Sequence, residues 1–215
     1  MINRMSFAML ALGALLFAAV FYAATTYNIL GWTAESTGDE SVWLGPPFKV
    51  ALYTIAFGLP YALYELTRRT NVLAILFLII LVPAVHYGAI SLFLWWIGEG
   101  AALAPAIDEM GQEIAPTVSP AVIGGLLAGF AGAAVSFFLL VLLRLRAPTA
   151  GPIVFLAGLL LLTAWGGAGL WLLGETPEAK DVVLKLFLPW QLIFAFFLSA
   201  LLRASPPRGT AATTD

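Results

Sequence analysis

The chain has 215 residues, of which 61% are hydrophobic and 10% are charged. About a quarter of the residues in a typical soluble domain are charged, so this composition excludes a water-soluble globule and indicates an integral membrane protein. The net charge of −2 argues against nucleic-acid binding, because there is no basic surface to neutralise phosphates. With no cysteine and one histidine, the chain cannot by itself form disulfides, iron–sulfur clusters, a bis-histidine haem or a multi-histidine metal site.

Six apolar runs are long enough to cross a bilayer as helices, which takes about 20 residues each. They cover residues 7–25, 48–66, 72–97, 119–143, 153–173 and 182–202. Backbone in lipid must satisfy its own hydrogen bonds, and the runs lack the alternation of a membrane β-barrel. We therefore predict an all-α polytopic bundle of six transmembrane helices over residues 1–203, followed by a disordered tail at 204–215. The first run resembles a signal peptide, but its length and the lack of a convincing cleavage site favour a retained helix.

The charged residues predict the orientation of the bundle. All seven arginines lie in every second polar segment, whereas the three lysines lie in or beside the others. Basic residues are retained in the cytoplasm during insertion, so the arginine side is predicted to be inside, with both termini cytoplasmic. The preference for arginine, alanine and glycine suggests a bacterial cell inner (plasma) membrane.

A possible internal repeat relates two helix hairpins. A shift of 76 residues places Arg68 on Arg144 and Trp95 on Trp171. Helices 2–3 and 4–5 would then form a parallel repeat of hairpins. The alternative is that positive inner turns and aromatic outer ends recur in any stack of hairpins.

The outer segment 102–114 carries apolar residues at helical spacing, namely Leu103, Ile107, Met110 and Ile114. This pattern predicts a short helix lying on the membrane surface. The acidic residues of the segment lack the spacing and turn glycine of a calcium loop, so no metal site is predicted.

His86 is the first candidate for a functional side chain. It lies near the centre of the third helix, three residues after Pro83, and an ionisable group at that depth is a functional hypothesis by default. It could relay a proton or ligate a haem or chlorin, the latter only with help from a partner chain. The alternative is a neutral imidazole bonded to a neighbouring helix.

Other polar residues could join His86 along a polar path or substrate site. Gln191 follows Pro189 and Trp190 in the sixth helix, at a depth where it could meet His86. The second helix contributes further candidates, Tyr53, Thr54 and Tyr61. The alternatives are that Gln191 bridges two helices and that the tyrosines lie at the membrane interface. Lys185, about one turn inside the outer end of the sixth helix, is expected to extend its charge outward.

Two stripes of small residues mark the fourth helix as a packing helix. One contains Gly125, Gly129 and Ala133, and the other Ala128, Gly132 and Ser136. In lipid, helices associate through close backbone approach, which small residues permit. The alternative is that the stripes leave space for a flat ligand such as a quinone, carotenoid or porphyrin.

Motifs of known enzyme classes are missing from the sequence, including nucleophile elbows, zinc-protease signatures and phosphate-binding glycine loops. The sequence therefore favours a non-catalytic membrane subunit, or an assembly or stabilising factor, of a larger membrane complex. Its expected partners are the lipid bilayer and other membrane subunits. The alternative is a small channel or carrier for a small or apolar solute; an intramembrane enzyme is a third, weaker possibility.

Overall fold

The structure is a computed structural model that describes residues 3–27, 46–68, 71–100, 106–107, 113–114, 119–148, 150–173 and 179–202. These ranges hold six helices close to the predicted bounds. Four are continuous: α1 Arg4–Thr26, α2 Pro46–Arg68, α4 Pro120–Leu142 and α5 Pro152–Leu173. Helix α3 joins Val72–Leu76, a π-helical segment Phe77–Leu81, Val82–Trp95 and a second π-helical segment Trp96–Gly100. Helix α6 joins Ala179–Asp181, a π-helical segment Val182–Phe187 and Leu188–Leu201.

Helix starts are set by capping side chains and prolines. The Asn3 side chain accepts hydrogen bonds from the backbone N–H groups of Met5 and Ser6, each at 3.2 Å. Asn71 accepts one from Ala74 at 3.1 Å at the start of α3. Pro120 is the first residue of α4, where its missing N–H costs no helical hydrogen bond. Each cap satisfies backbone donors that the first helical turn leaves free.

In the part of the chain that the structure describes, five stretches are long and apolar enough to span a membrane, so the chain is a multi-pass membrane protein. They are Arg4–Thr26, Val72–Gly98, Pro120–Leu142, Pro152–Leu173 and Val182–Leu201. Helix α2 is long enough but less apolar, because it includes Lys49, Pro60 and Glu65 among its residues. It packs between α1 and α3. The membrane-spanning role of α2 stays a prediction.

The six helices form a closed ring in which each packs against its neighbours in sequence, and α6 closes the ring against α1. Glycines permit this close packing at several interfaces. A Cβ atom built at Gly13 of α1 would collide with the Phe57 backbone of α2, and one at Gly58 of α2 would lie 2.8 Å from the Leu78 carbonyl of α3. One at Gly169 of α5 would lie 2.7 Å from the Leu186 side chain of α6. We call the end with Arg68 and Arg144 the arginine end, and the end where α6 begins the lysine end.

Aromatic side chains of α6 fill the centre of the ring. The Phe194 ring lies 5.7 Å from that of Phe57 on α2 and 6.1 Å from that of Phe137 on α4. Nearer the lysine end, the Phe187 ring lies 5.7 Å from that of Phe17 on α1. Trp190 stacks on Phe194 with a centroid distance of 5.3 Å. Because these contacts reach α1, α2 and α4, the aromatic side chains of α6 connect it to helices across the ring as well as to its neighbours.

Prolines inside α3 and α6 each follow a π-helical segment. Before Pro83, the N–H of Val82 donates to the carbonyl of Phe77, five residues back. Before Pro189, the N–H of Leu188 donates to Val183 in the same way. A proline ring in a regular α-helix clashes with the carbonyl four residues earlier, and a wider preceding turn relieves that clash.

Helix α4 ends in a turn with left-handed backbone at a residue other than glycine. Arg144 has a φ of 56°. The N–H of Leu145 donates to Leu140 at 2.9 Å, and that of Arg144 donates to Val141 at 3.0 Å. These two bonds form a Schellman motif, in which glycine is usual because a Cβ is strained there.

The segment after this turn is hydrogen-bonded to the end of α6. The Ala147 N–H donates to the Leu201 carbonyl at 2.7 Å, and Arg146 forms an isolated β-bridge with Leu202. The Arg146 guanidinium also donates to the Ala150 carbonyl. The α4–α5 connection and the end of α6 are therefore joined at the arginine end.

The predicted surface helix at 102–114 is wrong for the residues described there. Two-residue strands, β1 Ala106–Ile107 and β2 Glu113–Ile114, pair antiparallel, which one continuous helix over this segment would not allow. Pro105 and Gly111 both disfavour a helix. The predicted tail at 204–215 lies outside the described residues.

The hairpin repeat stays a prediction, and the two hairpins differ locally. Residues 69–71 separate α2 from α3, whereas residues 143–151 separate α4 from α5. Helix α3 contains π-helical segments, whereas Pro152–Leu173 is continuous α-helix. A shift of 76 without gaps therefore does not superpose the helix starts.

Arg144→Gly is expected to be more stable than Arg144→Ala by about 1 kcal/mol. Both variants lose the charge, but only alanine keeps a Cβ in the left-handed region. The measurement is thermal unfolding of both purified variants in the same detergent. In a regular helix glycine would be the less stable of the two, so equal midpoints or a more stable alanine variant would contradict this conformation.

Candidate functional site

A cavity of 360 Å³ lies among α3, α4, α5 and α6. Its volume falls within the range of about 300–1,000 Å³ typical of small-molecule sites. It runs from Leu94 and Val182 near the lysine end to Ser136 and Phe194 deeper in the bundle. Its walls are largely aliphatic, aromatic or glycine, so it can accommodate an apolar molecule. A charged one would lose its hydration there without gaining a partner.

His86 lines this cavity at about the middle of α3. Its side chain is 8% exposed, and its ring lies 5.1 Å from the Trp190 ring of α6 at an angle of 62°. It sits one turn after the Pro83 distortion, on the face of α3 directed at α6. Within the described ranges, the His86 side chain makes this ring contact and no hydrogen bond. Its two ring nitrogens therefore keep their capacity to donate and accept.

The first small-residue stripe brings α4 against the backbone of α5. A Cβ built at Gly125 would collide with the Gly166 carbonyl, and one at Gly129 would lie 2.8 Å from the Leu162 carbonyl. Ala133 is fully buried in the core. Gly125 and Gly129 also border the cavity, so the close approach of α4 and α5 forms one of its walls.

The second stripe faces the cavity and leaves more room. Ala128, Gly132 and Ser136 all line it. A Cβ at Gly132 would lie 3.5 Å from the Ala89 Cβ of α3 and 3.8 Å from the Trp190 ring. These are ordinary van der Waals distances, so glycine at this position keeps space open and is not required by a backbone contact.

The structure does not bring the predicted polar-path residues together. Tyr53 packs its ring against Phe21 of α1, with centroids 5.9 Å apart. The Thr54 hydroxyl donates to the carbonyl of Val50 in its own helix at 3.0 Å. Of the five candidates His86, Gln191, Tyr53, Thr54 and Tyr61, only His86 lines the cavity.

Gln191 is buried without forming the hydrogen bond to His86 that its depth suggested. Its side chain is 0% exposed, and neither its amide nitrogen nor its amide oxygen has a hydrogen-bond partner in the described part of the chain. Helix α6 instead directs the adjacent Trp190 toward His86. Consecutive residues on a helix point about 100° apart, so the side chain that reaches His86 is Trp190 and not Gln191.

A second polar cluster lies between α1 and α2 near the arginine end. Tyr61 and Glu65 are each 2% exposed, and Ser6 is 3% exposed. The Tyr61 hydroxyl lies close to the side chains of Ser6 and Glu65. One turn away, the Arg68 guanidinium lies 4.9 Å from the Tyr64 ring centroid. These contacts join α1 to α2 and lie apart from the cavity.

The charged side chains considered in the sequence lie away from the cavity or outside the described residues. Lys185 forms a salt bridge of 2.9 Å with Asp181, one turn earlier on α6, so its charge stays near the lysine end as predicted for an outward-directed side chain. The described residues contain no group of three histidine, cysteine or acidic side chains that could hold a metal ion. The acidic residues 108 and 109 lie outside the described residues.

Sequence reasoning missed Trp190 as a site residue. By sequence position, Trp190 is the one tryptophan that was not assigned to the predicted outer half of the chain's membrane segments. That exception was the signal available in the sequence. An aromatic side chain that does not serve the membrane interface needs another partner, and here that partner is His86 across the bundle. Cavity-lining residues such as Phe93 and Leu186 carried no signal, since any apolar helix contains similar residues.

Gly125→Ala is expected to destabilise the bundle by about 1–3 kcal/mol, because the new methyl group would force α4 and α5 apart. Gly132→Ala is the matched control in the same helix, and it should change stability by less than about 1 kcal/mol because its Cβ has room. Thermal unfolding in detergent of both variants beside the parent chain measures the difference. Equal losses at the two sites would contradict the packing described for the stripes.

No protein family, curated protein or solved structure matches this chain. The interpretation of the site therefore depends on the geometry and chemistry of the residues described above.

Proposed function

We propose that the chain is a non-catalytic integral membrane subunit, or an assembly or stabilising factor, of a larger membrane complex. The observation that carries this proposal is how the bundle uses its buried hydroxyl groups. Thr25, Thr54, Thr163 and Ser199 donate to backbone carbonyls of their own helices. Hydroxyls bound in this way are not free to line a route for ions or hydrophilic solutes.

The remaining buried polar groups do not form a chain across the bundle. The Tyr61 cluster joins α1 and α2, whereas His86 and Ser136 lie at the cavity among α3, α4 and α6. A path for a polar solute needs successive polar groups along its length. In the described helices the two sets occupy different interfaces, which favours a structural role in a complex over a polar channel.

A carrier for an apolar solute is the second candidate, and the cavity is the observation that favours it. Apolar walls of Phe93, Leu170 and Leu186 can accept a hydrophobic molecule. Carriers place their sites near the bilayer midplane beside interrupted helices. The distorted turns before Pro83 and Pro189 lie on two helices that wall this cavity.

The proposed orientation places the arginine end and both termini in the cytoplasm of a bacterium, with the chain in its inner membrane. Support comes from the charge distribution, since Arg68 and Arg144 mark one end of the bundle and Lys185 the other. Tryptophans at the lysine end fit an interfacial position: Trp95 and Trp171 are exposed there, and the Trp96 indole donates to the Pro120 carbonyl at 3.0 Å.

Ligation of a haem or chlorin by His86 belongs to this proposal only if a partner chain completes the site. His86 is the one histidine of the chain, so a second histidine ligand would have to come from another protein. The cavity beside His86 is elongated along the helix axes, from Val82 to Leu94 on α3, which favours chain-like molecules.

Gentle extraction of the tagged chain with its own lipids, followed by native mass spectrometry, tests the subunit proposal. The expected result is a particle that contains other membrane proteins in fixed ratio. An unrelated membrane protein of similar size that carries the same tag, extracted in parallel, controls for chance co-purification. A bare monomer or homo-oligomer would contradict the subunit proposal and favour the carrier.

The absence of cysteine makes the proposed orientation directly testable. Single-cysteine variants Ser119→Cys, at the lysine end, and Thr67→Cys, at the arginine end, replace exposed residues. A membrane-impermeant maleimide applied to intact spheroplasts is expected to label the first and not the second. After the membrane is permeabilised both should react, which controls for accessibility. The reverse pattern would overturn the proposed orientation.

A further inference from the structure

The cavity is elongated along the helix axes. It spans Val82–Leu94 on α3 and 182–194 on α6, which at 1.5 Å per residue is a length of about 18 Å. A volume of 360 Å³ spread over that length makes the cavity longer than it is wide. That shape fits an elongated molecule better than a compact one.

The polar side chains of the cavity lie at one level. The contact between Ala89 of α3 and Gly132 of α4 sets the register of these antiparallel helices. His86 lies three residues from that contact and Ser136 four residues from it, both toward the arginine end. With a rise of 1.5 Å per residue their levels differ by about 1.5 Å. The cavity therefore has a polar level, followed by an apolar stretch toward the lysine end.

His86 and Ser136 have unused hydrogen-bonding capacity. Neither side chain forms a hydrogen bond with another described residue. A polar group in an apolar surrounding without a hydrogen bond is unfavourable, and a large apolar cavity is a poor place for water. A ligand oxygen at this level would satisfy one or both side chains.

The lining also limits the charge of the ligand. Among the described residues that wall this cavity there is no lysine, arginine, aspartate or glutamate. A phosphate or quaternary ammonium head group would be buried there without a counter-charge, which is strongly unfavourable. Uncharged oxygen functions, a hydroxyl or a carbonyl, match what an imidazole and a hydroxyl can donate and accept.

We infer that the cavity binds an elongated, uncharged lipid that carries one hydroxyl or carbonyl group at its end. The oxygen lies at the level of His86 and Ser136, beside the Trp190 ring, and the apolar chain extends along the glycine face of α4 toward the lysine end. This site goes beyond the proposed function, because bound lipid is compatible with a complex subunit and with a carrier.

Binding to the purified chain in nanodiscs tests this inference, with quenching of tryptophan fluorescence by brominated probes as the readout. Three probes of matched chain length are compared: a prenyl alcohol, a short-chain prenylquinone and a prenyl hydrocarbon without oxygen. We expect the alcohol or the quinone, or both, to bind about tenfold more tightly than the hydrocarbon, the effect of one hydrogen bond. The stronger of the two identifies the oxygen function.

Variants locate the two parts of the site. His86→Phe and Ser136→Ala are expected to remove the tenfold preference while leaving hydrocarbon binding unchanged. Gly132→Leu should abolish binding of all three probes because the leucine side chain fills the cavity. If this variant folds poorly, Ala89→Leu replaces it, since a leucine there fills the cavity from α3. Gly88→Leu adds the same bulk where no atom lies within 4 Å, and it should bind like the parent chain.

Several outcomes would overturn the inference. One is equal affinity for alcohol, quinone and hydrocarbon in the parent chain. Another is full probe binding in a folded Gly132→Leu or Ala89→Leu variant, and a third is displacement of the probes by ordinary phospholipid alone. Because the assay contains no partner subunit, its failure is distinct from failure to find a partner complex.

Discussion

The stacking of α6 aromatic rings in the middle of the ring of helices is the interaction on which the rest of the structure depends. In lipid there is no hydrophobic force to draw helices together, so association relies on close packing and a few polar contacts. Phe194 contacts rings on α2 and α4, and Phe187 contacts α1. Around the outside, glycines such as Gly13 and Gly125 let neighbouring backbones approach. The bundle thus combines large side chains at its centre with small residues at its seams.

Two distortions interrupt this packing on the side where the cavity lies. The π-helical segment of α6 includes the lining residues Val182, Leu186 and Phe187, and that of α3 ends one residue before the lining residue Val82. On α4, Gly132 has no side chain, and the nearest atom lies 3.5 Å from its Cβ position. Features of three helices therefore border this space.

Much of the fold could be predicted from the sequence, because hydropathy and length determine where helices cross a bilayer. The starts of α3 and α5 fall within one residue of their predicted positions. The weaker case is α2, in which Tyr53, Tyr61 and Glu65 are buried and lower its apolar character. The prediction of a surface helix at 102–114 was wrong because it relied on the apolar spacing, whereas Pro105 and Gly111 disfavour a helix.

The site was less predictable, because it depends on which faces of different helices meet. Depth along a helix placed His86 and Gln191 at a similar level, but rotation about the α6 axis directs Trp190 toward His86. The two small-residue stripes look alike in sequence, yet a Cβ at Gly125 would collide with a backbone, whereas one at Gly132 would lie at ordinary van der Waals distances from side chains of α3 and α6. Residues one position apart on a helix face different neighbours, and a single sequence does not encode those neighbours directly.

The inward-facing aromatic side chains of α6 have a consequence for how the bundle is assembled. Ribosomes synthesise α6 after the other five helices, so Phe17, Phe57 and Phe137 are made before their partner rings exist. The Arg146 segment likewise cannot complete its hydrogen bonds before Leu201 and Leu202 are made. Closure of the ring and completion of the cavity therefore both require the sixth helix.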